Sequence, residues 1–559
     1  MLKVLTYMLF LCILVSGQIN DKQVVASELS YEPVLAKFLT KEKSAPVIHP
    51  IVWERAASTP STPDVVVWIF FTDKGISSKE EYRTARHETE RQLSERTVRR
   101  REKVSSKIDF TDLPVKREYI EAVLNLGAKH RTTTKWFNGM SAEVPLGRLE
   151  EIANLPFVRE IRLVNGSKRE PIQVKRDVEK PPVPHQQYQL DYGPSLGQLE
   201  QINVPAVHEL GYSGDGVILC ILDTGFNLNH ESLQHVNLIA EYDFINKDGT
   251  TANEPGDPRT QEDHGTSVLS TVGGASSGNL YGPAYGASYI LAKTEDISSE
   301  TTVEEDYWVA ALEWADGLGA DIASSSLIYI NWYTYEDMDG NTAVITKAAD
   351  MAAAKGILVC NAAGNERDDE WFYIGAPADA DSILACGAVT ENGQIAFFSS
   401  SGPSSDGRTK PEVAARGDRT YVADPSNPAH YYNALGTSYA TPLIAGAAAL
   451  VLEAHPDWTP LQVREALMMT ASQAHNPNNL YGWGIIDALA AMNYGSTESK
   501  GDINGDGIFN ITDIKMAVDF ILNFRIPFHD QGWAADCNDD GEIDVIDIIC
   551  IVRLSLDDG

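Results

Sequence analysis

The chain has 559 residues, 43% of them hydrophobic, with a formal net charge of −34. It is long enough for three or four domains with packed cores, and too apolar to be a disordered polymer. The charge is divided: residues 18–180 hold 29 basic against 24 acidic side chains, and residues 181–559 hold 15 against 55. Such an acidic body argues against nucleic-acid binding. Opposite signs on one chain fit a detachable basic segment, and fit equally well a surface tuned for solubility or salty surroundings.

The chain opens with "MLKVLTYMLFLCILVSGQ": one lysine, about a dozen apolar residues, then Ser16 and Gly17. This is the layout of a secretory signal peptide over residues 1–17, and no later stretch reads as a membrane span. Residues 18–180 follow, with a module at about 62–165 that switches repeatedly between strand and helix. "VVVWIFF" reads as a strand, "KEEYRTARHETERQLSERTVRRREKV" as one charged helix and "REYIEAVLNLG" as another. "KWFNGMSAEV" is strand-like, "LGRLEEIANL" helical and "VREIRLV" strand-like. The polar, proline-bearing connector "KRDVEKPPVPHQQ" comes next and is open to proteolysis.

Residues 188–497 alternate apolar strands with helical stretches: "VILCILDTG", "ASYILAKTE", "ADIASSSLIYI", "GILVCNAAGN" and "SILACGAVT". This predicts βαβ units and a largely parallel sheet, with functional groups at the carboxyl ends of its strands. Of the six cysteines, Cys12 lies in the signal segment, and Cys220, Cys360 and Cys386 sit in apolar strands as buried thiols. No C-x-x-C spacing suggests a metal site. Beyond "NYGSTESK", residues 501–559 hold a two-fold repeat offset by 34 residues, "GDINGDGIFNITDIKMAVDFILN" and "ADCNDDGEIDVIDIICIVRLSL".

Asp223 ends the first apolar strand in Asp-Thr-Gly. An aspartic protease requires two such carboxylates sharing a proton, and this α/β stretch has one. Asp223 is accompanied by His264 in "EDHGTSV", Asn365 in "NAAGNE" and Ser438 in "GTSYATPLIAGAAALVLEA". A serine hydroxyl becomes a nucleophile when a base takes its proton and a third group orients that base. Singly, the three side chains also suit a turn, a surface histidine and a helix cap. His230 in "NLNHESL" is a competing histidine, read as a loop residue.

The order Asp, His, Ser and the three motifs resemble the subtilisin-like serine proteases, or subtilases, across residues 188–497. The resemblance implies a three-layer α/β fold. It also implies that Asp223 orients His264, that His264 is general base and then acid, and that Ser438 attacks the scissile carbonyl. The oxyanion faces the Ser438 N–H and the Asn365 side chain. Substrate-cleft walls are implied at Ser325, Ser326 and Leu327 and at Ala362, Ala363 and Gly364, where a protein or peptide substrate adds as a strand. Tyr439 and Ser267 depart from residues common in the family.

"WFNGMSAEVPLGRLEEIANLPFVREIRLV" resembles the end of a subtilase propeptide, a ferredoxin-like α+β inhibitor and chaperone, with cleavage expected between about 165 and 190. In the C-terminal repeat, oxygen-bearing residues recur at loop positions 1, 3, 5, 9 and 12: Asp502, Asn504, Asp506, Asn510 and Asp513, then Asp536, Asn538, Asp540, Asp544 and Asp547. Ile508 and Glu542 occupy position 7, and Gly507 and Gly541 the sharp turn. This spacing wraps a twelve-residue loop around Ca2+. Aspartate at position 12 and the lack of a clear preceding helix make the pair resemble a small helical dockerin, which docks enzymes onto cohesin-bearing scaffolds. Ile511, Thr512, Val545 and Ile546 stand where dockerins present partner contacts. The expectation is a secreted serine endopeptidase made as a zymogen, with further calcium sites open in the catalytic domain. Alternatives are a catalytically inactive scaffold component on the same fold, and an esterase using the same triad.

Overall fold

The structure is a computed structural model that describes residues 47–50, 52–53, 64–164, 188–298, 303–495, 499–505, 509–522, 524–525, 527, 529–538 and 540–557. The expected signal segment and the cleavage connector lie outside the described residues.

The amino-terminal module is a five-stranded sheet of β1 (Val47–Ile48), β2 (Asp64–Phe71), β3 (Lys129–Thr134), β4 (Gly139–Pro145) and β5 (Val158–Leu163), in the order β1-β5-β2-β4-β3. Only the β1–β5 pairing is parallel. Val67, Ile69 and Phe71 alternate onto one face of β2 and build the module's core with Met140, Ala142 and Val144 of β4. One expectation is corrected, and one strand is found that the sequence reading does not assign. The charged segment forms two helices, Lys79–Gln92 and Glu95–Lys103, because the Ser94 hydroxyl accepts the Thr97 amide at 3.0 Å and starts a new helix. "KHRTTT", polar and without an apolar period, is a strand because it pairs along β4.

The second helix of this arm lies against the larger domain. Arg96 donates to the Gly216 carbonyl at 2.5 Å and pairs with Asp321. Arg100 reaches the Ala320 carbonyl at 2.5 Å and the Asp316 carboxylate, while Arg101 bridges Asp316 and Asp112, the latter at 2.8 Å. Lys355 closes the network on Asp112 at 2.8 Å. These charges are buried, Arg100 and Arg101 each at 2% exposure and Asp316 at 0%. They persist because each is paired.

The large domain is built on seven strands: β6 (Ile218–Asp223), β7 (Asn237–Asp243), β10 (Ser288–Lys293), β11 (Ile322–Ser325), β12 (Leu358–Ala362), β13 (Leu384–Val389) and β14 (Val413–Arg416). Two short strands, β8 (Ala275–Ser276) and β9 (Leu280–Tyr281), form a separate hairpin between β7 and β10. The order in the large sheet is β14-β13-β12-β11-β6-β10-β7, and every pairing is parallel. Strand β6 is buried throughout. Its Leu219 and Ile221 face a core shared with the helices Asp263–Gly273 and Thr437–Ala454. Its Cys220 and Leu222 face a second core under the helices Val303–Leu318 and Val344–Ala354. Helix, sheet and helix are the expected three layers. Trp136 of the amino-terminal module, 3% exposed, is part of that second core.

Contrary to the sequence expectation, one later segment is long and apolar enough to cross a membrane. It is the Thr437–Ala454 helix, with mean hydropathy 1.2. It is 83% buried as the central helix of the domain, which accounts for its composition.

The carboxyl-terminal module packs the helices Ile511–Ile521 and Val545–Asp557 around Ile503, Met516, Phe520 and Ile551. Cys537 and Cys550 form a disulfide, a pairing absent from the sequence reading. The module rests on the large domain through Arg525, which donates to Glu465 at 3.0 Å.

Candidate active site

Three segments meet at the carboxyl end of the parallel sheet. β6 ends at Asp223, whose side chain is fully buried. The Asp263–Gly273 helix starts against that strand end, since an added Cβ on Gly265 would stand 2.3 Å from the Gly225 carbonyl and 3.1 Å from Asp223 Cβ. Only glycine permits this approach, and it brings His264, the next residue back, onto the carboxylate. His264 Nδ1 lies 2.7 Å from Asp223 Oδ1, which also accepts the Thr224 amide at 2.7 Å. With Nδ1–H donating to Asp223, the proton-accepting nitrogen is Nε2.

Ser438 is the second residue of the Thr437–Ala454 helix, where backbone N–H groups have no intrahelical acceptor. The Asn365 carbonyl oxygen Oδ1 accepts from the Thr437 amide at 2.8 Å and hydroxyl at 3.1 Å. This turns the Asn365 amide nitrogen Nδ2 the other way. A Cβ built on Gly436 would stand 3.6 Å from both Asn365 Nδ2 and the Ser438 amide nitrogen. Two N–H donors thus face one small space that glycine leaves open, which is the arrangement needed to hold an oxyanion.

The Ser438 hydroxyl donates to the Ser326 carbonyl at 3.3 Å, and among the described residues it makes no hydrogen bond to His264. Ser326 in turn donates its hydroxyl to the Ser438 carbonyl at 2.8 Å. The structure therefore brings Asp223, His264, Ser438 and Asn365 to one rim but does not join Ser438 to the imidazole. The competing His230 is occupied elsewhere, bonding Ser232 Oγ at 2.9 Å and the His430 carbonyl at 2.9 Å.

The departures from family pattern are accounted for by packing. Ser267 is buried and its hydroxyl bonds Tyr432 Oη at 2.9 Å. Tyr439 is buried with its ring 5.9 Å from that of His264. Of the expected cleft walls, Ser325 is fully buried and accepts the Trp308 indole N–H at 2.9 Å. Ser326 and Leu327 continue from β11, while Ala362, Ala363 and Gly364 continue from β12 to Asn365. All six are buried. Sequence reading missed Ile328, whose side chain lies across Gly364 and Gly375.

In the carboxyl-terminal loops, Asp506, Gly507 and Ile508 lie outside the described residues. In the second loop, Asp536 accepts the Asp540 amide at 3.0 Å and the Gly541 amide at 3.1 Å, and Asn538 Oδ1 accepts the Asp540 amide at 2.9 Å. The loop is curled around oxygen-only donors, a set that suits a hard cation. Asp513 and Asp547 reach back to the Asn504 and Asn538 amides, closing each loop from its twelfth position. In the large domain, Asp243, Asp248 and Glu254 also cluster. There the buried Lys293 ammonium answers Asp243 at 2.8 Å and Asp257 at 2.7 Å, one positive charge among four carboxylates.

Residues 214–484 match the subtilase family, residues 66–179 the Bacteroidota peptidase S8 propeptide domain, and residues 500–554 the dockerin type I domain. Subtilisin E of Bacillus subtilis is 34% identical over 298 residues, covering 52% of this chain and 70% of its own. Subtilisin of Bacillus pumilus is 33% identical over the same length, covering 52% of this chain and 97% of its own. Fervidolysin from Fervidobacterium pennivorans, a keratinolytic enzyme related to subtilisin, shares the fold with a TM-score of 0.55 at 19% identity, covering 78% of this chain and 62% of its own. The chain belongs to the subtilase family, with a peptidase S8 propeptide domain before the peptidase domain and a dockerin type I module after it.

Proposed function

We propose that the chain is a secreted serine endopeptidase, made as a zymogen, that cleaves protein substrates through a Ser438 acyl-enzyme. The observation that carries the reading is the buried Asp223–His264 hydrogen bond at the strand end that also gathers Asn365 and the Ser438 helix. In the first step the hydroxyl leaves Ser326 and gives its proton to His264 Nε2 as oxygen attacks the carbonyl carbon. Asp223 stabilises the imidazolium. The Ser438 amide and Asn365 Nδ2 hold the oxyanion, and His264 then protonates the leaving amine. Water, deprotonated by His264, completes hydrolysis.

The domain reading is a signal peptide over 1–17, a propeptide over 18–180, the peptidase over 188–497 and the dockerin-like tail over 501–559. The two repeat loops would hold Ca2+ through the carboxylates and amide oxygens named above, with Ile508 and Glu542 contributing at position 7. Bound calcium supplies positive charge that fixes the loops against their own acidic repulsion. A cohesin-bearing scaffold is the partner that a dockerin-type tail would take.

One observation favours a catalytically silent scaffold instead: the Ser438 hydroxyl is bonded to Ser326. Labelling with a fluorophosphonate and hydrolysis of casein test both readings. Labelling that Ser438→Ala abolishes, together with casein cleavage, supports the peptidase. A mature protein that never labels supports the scaffold.

A further inference from the structure

We infer that the peptidase prefers a small residue on the acyl side of the cleaved bond, because Ile328 and Ile330 fill the slot that a large side chain there would enter. The inference rests on the catalytic reading of Ser438 and Asn365 above. In an acyl-enzyme the carbonyl carbon is bonded to Ser438 Oγ, and its oxygen points at Asn365 Nδ2 and the Ser438 amide. The substrate side chain branches one bond further, so it meets whatever lies beside Asn365. That neighbour is Gly364, a residue with φ of +116° and no side chain of its own.

An added Cβ on Gly364 would stand 2.8 Å from Ile328 Cδ1 and 2.7 Å from Ser400 Oγ. The opposite boundary is Gly375, whose amide donates to the Ala363 carbonyl at 3.3 Å, tying the two segments together. An added Cβ on Gly375 would stand 2.7 Å from Ile330 Cγ2 and 3.2 Å from both Cβ and Cδ1 of Ile328. Two glycines thus open a slot next to the oxyanion donor, and the same two isoleucines close it. They are held there by backbone: Tyr329, between them, donates its amide to the Ala376 carbonyl at 2.8 Å and accepts the Ala376 amide at 3.2 Å. Ile328 and Ile330 are half-buried while Tyr329 is buried, as expected when alternate side chains of an extended segment face the cleft.

A branched side chain anchored by such a bridge cannot swing aside for an aromatic ring. Methyl or hydroxymethyl groups remain small enough to lie over it. Pocket filling of this kind discriminates by about one to two orders of magnitude, because each misfitted group costs packing at the transition state.

The test uses the mature protein and peptide anilides that differ only at the residue before the anilide. For the wild type, kcat/KM with alanine exceeds that with phenylalanine by at least about tenfold. Ile328→Ala moves the phenylalanine-to-alanine ratio at least about tenfold toward phenylalanine, and Ile330→Ala moves it in the same direction. A wild type that cleaves after phenylalanine as fast as after alanine overturns the inference, and this needs no variant to fold. Variants that still take the fluorophosphonate but keep the wild-type ratio overturn it too. Casein hydrolysis with either of those results leaves the peptidase reading standing. Loss of labelling and of all cleavage in the wild type overturns both.

Discussion

Asn365 and Thr437 are locked to each other, the Asn365 carbonyl accepting both the amide at 2.8 Å and the hydroxyl at 3.1 Å of Thr437. The lock decides which end of the asparagine turns away from Thr437, and in the proposed mechanism that end, Nδ2, faces the substrate. Replacing Asn365 with leucine removes the donor and keeps the volume, so kcat should fall about 10²–10³-fold with KM little changed, a magnitude taken over from subtilisin, the reference case for this effect. Steady-state kinetics on one anilide check it, and a loss carried mainly by KM would contradict the oxyanion role.

Gly436 leaves open the space between the two donors. Its φ of +148° is strained for any other residue, and its missing Cβ would stand 3.6 Å from each donor nitrogen. Gly436→Ala should cost kcat at least about 100-fold, since the methyl takes up the space in which the oxyanion would meet its two donors. Thermal melting should move by only a few degrees, because strain at one position costs about 1–3 kcal/mol. Retained activity would place the oxyanion elsewhere.

The arginine network between the arm and the large domain is buried, so breaking it from one side strands a charge. Asp316→Ala removes the carboxylate shared by Arg100 and Arg101 and should weaken the contact by about 3–5 kcal/mol. The measurement is size-exclusion chromatography of the Ser438→Ala protein after its connector has been cut by an added protease. With Asp316 present, the two pieces should travel together; with Asp316→Ala, they should separate.

Proton uptake should accompany the same docking. Asp306 of the Val303–Leu318 helix accepts the Ser141 hydroxyl of β4 at 2.5 Å and lies 3.5 Å from Arg131 of β3. Burial pushes its carboxyl up from the ordinary 3.8 to about 7. Freed of the propeptide, the carboxyl returns toward the ordinary value, so the docked state holds the extra proton. Docking strength from this group is complete below about pH 4 and is lost as pH rises toward 7, by up to about tenfold per pH unit. Release of the cut propeptide followed against pH should show that slope, and Asp306→Asn should flatten it.

How much of this was written in the sequence depends on range. Asp223, His264 and Ser438 stand out in the sequence as candidates because their three motifs, in the order Asp, His, Ser, resemble those of subtilases, whereas singly each suits a turn, a surface histidine or a helix cap. The arm was misread as one helix because a single Ser94 cap interrupts an otherwise uniform charged run. Its destination was invisible, since Arg101 meets Asp316 more than two hundred residues away. β3 has no apolar period and exists only as a partner of β4. The hydrogen bond from Ser438 to Ser326 depends on a rotamer, which no sequence pattern encodes. Ile328 and Ile330 looked like ordinary strand residues until Gly364 and Gly375 were set against them.

The Cys537–Cys550 bond joins residues 13 apart, and nearly all of the second repeat loop lies within the ring it closes. The first loop has no such tie among its described residues. Thiols pair durably in oxidising surroundings and remain reduced in an ordinary cytosol. A freshly made chain would thus carry an unfinished tail until it met an oxidant, and ripening of that tail would report where the molecule has been.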